Sequence, residues 1–138
     1  MIWLLLLGLV LGITLLLLIM KRSPRPKKLH GTVNYDRDYV ARKWQEIELA
    51  NRHGQSKQAV IEADKLLDYV LKALRFDGVD MAHRLGNARS TFSDSDGLWE
   101  AHRLRNRLVH ETNFNLLGEM ANRALAAFRQ ALTDMRAL

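Results

Sequence analysis

The sequence predicts an all-α chain, in which a single N-terminal transmembrane helix is followed by a bundle of four to five helices. Three observations predict it. Residues 1–20 carry no charged side chain and are dominated by leucine. From residue 36 onward, apolar residues return with the 3.6-residue period of amphipathic helices. No segment alternates apolar and polar residues as a half-buried strand does.

The elements follow in order. Twenty residues at ~1.5 Å rise reach ~30 Å, the thickness of a hydrocarbon core. The segment lacks the positive n-region and small-residue cleavage site of a signal peptide, so residues 1–20 read as an uncleaved anchor. Lys21, Arg22, Arg25, Lys27 and Lys28 flank one side of it, and no Lys or Arg precedes it. The positive-inside rule then places the chain in the cell membrane as a single-pass protein with its C-terminal domain cytoplasmic. The absence of cysteine fits that compartment. Gly8 and Gly12 lie one helical turn apart, a spacing at which small residues let two membrane helices approach. A parallel homodimer is the expectation.

Residues 21–34 read as a basic linker. Pro24 and Pro26 prevent a sustained helix, and the five cations suit anionic lipid head groups. They also account for most of the formal net charge of +6, because only 16 basic residues face 15 acidic ones after them. The remaining domain, 35–138, is thus nearly neutral. The net charge is therefore no evidence for a broad nucleic-acid surface, and any RNA contact needs a local patch.

The domain is long enough for one small core. A first helix over about 36–52 aligns Tyr39, Val40, Trp44 and Ile47, and Gly54 breaks it. A second runs from Ser56, a candidate N-cap, to Phe76. Its stripe is Ala59, Ala63, Leu66, Leu67, Val70 and Leu74, and Gly78 closes it. A short third helix opens at Asp80, uses Met81 and Leu85 and ends near 89; residues 90–95 form a loop. A fourth spans about 96–111. A fifth starts near Asn115 and carries Leu116, Leu117, Met120, Ala124, Leu125, Phe128, Leu132 and Met135. Short connections give an up-and-down bundle.

Several chemistries find no support. No glycine-rich phosphate loop has Walker or Rossmann spacing. Without cysteine there is no thiol catalysis or thiolate metal site. His110-Glu111 could open a zinc-protease motif, but the residue four after His110 is Phe114. No cofactor and no metal are expected. His30, His53 and His83 read as solvated.

The informative segment is Arg105-Asn106-Arg107-Leu108-Val109-His110. Leu98, Ala101, Leu104, Leu108 and Val109 define one apolar arc of the fourth helix, with Arg105 projected into its middle. A buried guanidinium needs a partner or a wet cleft. Asn106 and His110 share one edge, so an amide, an imidazole and a guanidinium converge there. Arg103, Arg105 and Arg107 form the densest cationic patch, and His102 stands two turns before His110 as a further candidate for the cleft wall. Glu62, at the margin of the second helix's stripe, is the expected carboxylate partner of Arg105, with Asp64 second.

This segment resembles the signature of the HEPN superfamily of small helical domains, an arginine followed by a polar residue and, four residues further on, a histidine. The resemblance covers the motif and the helical pattern of 36–138. It implies a metal-independent endoribonuclease in which Arg105 holds the scissile phosphate, Asn106 orients it and His110 moves a proton. Arg103, Arg107, His102 and Glu62 would support them. The resemblance also implies a homodimer with both motifs facing one cleft. The alternative is a non-catalytic, membrane-tethered helical module that binds RNA, a nucleotide or a protein partner.

Overall fold

The computed structural model describes residues 35–138. The anchor, the basic linker and the Gly8–Gly12 pair lie outside them. Among the described residues there are five α-helices and no strand: α1 (Arg37–Arg52), α2 (Ser56–Ala73), α3 (Met81–Asn87), α4 (Ser95–His110) and α5 (Gly118–Asp134). A 3₁₀ turn, Arg89–Thr91, sits between α3 and α4. No described helix is long and apolar enough to cross a membrane.

Local chemistry sets most of the boundaries. Asp36 caps α1 by accepting from the amides of Asp38 and Tyr39 at 2.9 and 3.1 Å. Asp80 caps α3 through the His83 amide, and Asp94 caps α4 through the Gly97 amide. At the end of α1, Gly54 takes a left-handed φ of 79°. Its amide reaches the Asn51 carbonyl, and Gln55 reaches Ala50, which is the paired bonding of a Schellman turn.

Two expected ends move. Ser56 is not the cap of α2, because the tight Schellman turn leaves it already helical. Gln55 occupies the cap position without a side-chain bond, and the Ser56 hydroxyl donates to Asn51 Oδ1 at 2.8 Å. The expected run of α2 to Phe76 stops at Ala73, since Arg75 turns left-handed (φ 60°) and Phe76 closes back on the Leu71 carbonyl. The last helix starts at Gly118 rather than near Asn115, so Leu117 projects outward and exposed.

α2 is the central element. It packs on α1, α4 and α5, and α4 packs on α5. Ala59, Val60, Ala63, Leu66, Leu67, Val70 and Leu71 of α2 are all buried, which wraps the apolar surface around most of the helix. Val40, Trp44 and Ile47 cover one side; Leu98, Ala101, Leu104 and Leu108 cover another; Ala124, Leu125, Phe128 and Leu132 complete one continuous core.

A candidate polar site on α4

Asp64 lies on α2 within the otherwise apolar file Val60, Ala63, Leu67 and Leu71, and its side chain is only 3% exposed. A carboxylate so deep requires partners. His102 of α4 supplies the first, with Nδ1 2.7 Å from Asp64 Oδ1 and a side chain 7% exposed. Arg105 supplies the second, with Nε 3.2 Å from Asp64 Oδ2. That Nε–H is not aimed along a hydrogen-bond line to any acceptor, so the Arg105–Asp64 link is a contact of opposite charges. Asn106 joins the two: its Nδ2 is 3.2 Å from His102 Nε2, and its Oδ1 accepts from Arg105 Nη1 at 2.9 Å. Four side chains therefore close a ring between α2 and α4. The edge of Trp99 meets the His102 ring at a centroid distance of 6.1 Å and closes that end.

Helical projection places the remaining residues. Arg105 lies inside the apolar arc, between Ala101 and Leu98 in projection, yet its side chain stays 26% exposed. The expected arc is also shorter, because Val109 is 49% exposed at the helix end. Arg105 and His110 are separated by ~140° around an ideal helix. Asn106 lies between them, ~40° from His110. The guanidinium turns toward Asn106, and so toward the edge that carries His110. His110 itself is exposed and makes no side-chain hydrogen bond or ion pair among the described residues.

The cationic patch divides. Residues two apart on a helix point ~200° apart, so Arg103 and Arg107 face a groove between α4 and α5 while Arg105 faces α2. Arg107 is held there by Glu111 at 3.0 Å and lies 4.2 Å over the Phe114 ring. Glu62 does not approach Arg105. It points outward to Lys65 (2.8 Å) and accepts from Gln58 (3.0 Å). The carboxylate beside Arg105 is that of Asp64. Nor does His102 line an open cleft, being a buried member of the ring.

The sequence held a signal for both of these residues. Asp64 follows Val60 by four and precedes Leu67 by three, an acid on an apolar face. His102 precedes Arg105 by three and Asn106 by four, which puts it beside both on one helix.

Among the described residues, no cluster of three or more His, Asp or Glu side chains could hold a metal ion. Compared with protein-family models, curated proteins and solved structures, the chain matches none.

Proposed function

We propose that the chain is a membrane-anchored HEPN-like domain that cleaves RNA without a metal, through Arg105, Asn106 and His110. The observation that carries this reading is the state of Arg105. A guanidinium has five N–H donors. One side of it is spent on Asp64 and Asn106, and no Nη2 donor is engaged among the described residues. The group is thus fixed at a rim with donors left for phosphate oxygens. His110 stands one turn beyond Asn106, exposed and without a side-chain partner among the described residues. In the reaction the ribose 2′-oxygen attacks the adjacent phosphorus as its proton is removed. The 5′-oxygen leaves with a proton, and a 2′,3′-cyclic phosphate remains. His110 serves one of the two proton transfers, and Arg105 counters the charge that builds on the phosphate. A second copy supplies the other histidine across a shared cleft.

One observation favours a second reading. Asp64 already neutralises Arg105, which suits a non-catalytic tethered module. The test is the full-length chain in detergent or vesicles, incubated with single-stranded RNA in EDTA. Cleavage should persist, leave cyclic phosphate ends and fall at least ~10²-fold with either Arg105→Ala or His110→Ala. No cleavage of any single-stranded RNA gives the second reading instead, and cleavage unchanged by both substitutions overturns the assignment of Arg105 and His110.

A further inference from the structure

The ring of Asp64, His102, Asn106 and Arg105 can be hydrogen-bonded in only one direction. Arginine has donors and no acceptor, so Asn106 must present Oδ1 to Arg105 Nη1, 2.9 Å away. The amide is thereby oriented, and its Nδ2 donates toward His102 Nε2 at 3.2 Å. His102 Nε2 must then accept and carry no proton. The imidazole proton sits on Nδ1 and is donated to Asp64 Oδ1 at 2.7 Å. Asp64 can only accept, and its other oxygen faces Arg105 Nε at 3.2 Å. Reversing any one link sets two donors or two acceptors against each other in a site where both Asp64 and His102 are nearly inaccessible to water.

We infer that Asp64 and His102 are positioning residues for Arg105. His102 is held as its Nδ1–H tautomer, and the closed ring fixes the guanidinium with its free edge outward. This moves the imidazole nearest to Arg105 out of acid–base chemistry, since both its nitrogens are committed. His110 is left as the histidine that can exchange protons with a substrate. The inference deepens the ribonuclease reading and rests on it only for what Arg105 holds; the ring itself is readable without RNA.

The experiment is long-range ¹H–¹⁵N correlation NMR on the ¹⁵N-labelled full chain in detergent micelles. His102 should show a protonated Nδ1 and an unprotonated Nε2, and Arg105 Nε–H should give a resolved signal apart from the solvated arginines. His102→Gln keeps one donor and one acceptor and should keep that Arg105 signal. His102→Phe keeps the bulk without the polar atoms and should move the signal to the solvated group. With a 2′-O-methyl oligonucleotide, which cannot be cleaved by this route, affinity should fall ~10-fold in His102→Phe and stay near wild type in His102→Gln, the scale of one misplaced charge-assisted contact. An Nε2–H tautomer, an imidazolium at pH 7, or an Arg105 signal indifferent to both substitutions overturns the positioning role. An intact ring in a chain that neither binds the oligonucleotide nor cleaves RNA overturns the ribonuclease reading alone.

Discussion

Arg84 is more deeply buried than Arg105, at 7% exposure, and its surroundings make a prediction of their own. Its Nε donates to Asp68 Oδ1 at 2.7 Å and its Nη1 to the Gly78 carbonyl at 2.6 Å, tying the loop after α2 to the body of the helix. Lys72 approaches the other Asp68 oxygen at 2.7 Å. Burial pushes the Asp68 carboxyl up, but hydrogen bonds and charge from Arg84 and Lys72 outweigh it, and the group sits below its ordinary value. A depressed carboxylate stabilises the fold above its unfolded value of about 3.9, and that contribution is lost as pH falls through the lower folded value. Asp68→Asn should therefore lower the melting temperature at pH 7, with the gap to wild type narrowing as the pH is taken below about 4. A gap of equal size at neutral and acid pH would show that Asp68 acts by shape alone. At this scale the sequence was partly legible. It marked Arg105 as an arginine that needs a partner. It ranked Glu62 ahead of Asp64, and the structure sets Asp64 beside Arg105 instead; the two point ~200° apart on their helix, and the choice depends on which face of α2 meets α4.

Helix ends show the same division between local and distant causes. Asp36, Asp80 and Asp94 cap their helices through bonds to amides two or three residues on, and such caps can be read from spacing. Gly54 at the end of α1 is equally plain. The ends of α2 and α5 have the same Schellman bonding, with Arg75 and Arg136 in the left-handed position at φ 60° and 58°. Nothing in the residue type announces that conformation. It arises because Phe76 and Ala137 fold back toward the core and their amides reach Leu71 and Leu132. The backbone of Arg75 is therefore strained relative to glycine. Arg75→Gly should stabilise the domain by about 1 kcal/mol, the left-handed penalty less the added freedom of the unfolded chain. Urea unfolding of the pair measures it, and a destabilised variant would mean that the arginine side chain contributes more than its backbone costs.

For the whole molecule, the proposed function joins the near-neutral helical domain to a membrane anchor at residues 1–20, which lie outside the described residues. One Arg105 and one His110 per chain make a thin set for a reaction with two proton transfers. In the proposed function a second copy would supply what one lacks, and a membrane tether would raise the chance of meeting it. Two domains held by short linkers at one surface experience a high effective concentration without any new contact between them. The charge-free residues 1–20, the one-sided basic flank and the Gly8–Gly12 spacing all bear on that pairing. The Gly pair is the testable part, because small residues four apart let helices approach only while they stay small. Full-length chains carrying donor and acceptor fluorophores in lipid vesicles should show energy transfer that depends on the protein-to-lipid ratio. Gly8→Ile with Gly12→Ile should weaken that self-association roughly 10-fold, the scale of one good membrane helix interface. Transfer equal in the two proteins would leave the anchor as a tether only. Absence of transfer in the wild-type chain at every ratio would remove the second copy, and with it the partner histidine on which the proposed cleavage depends.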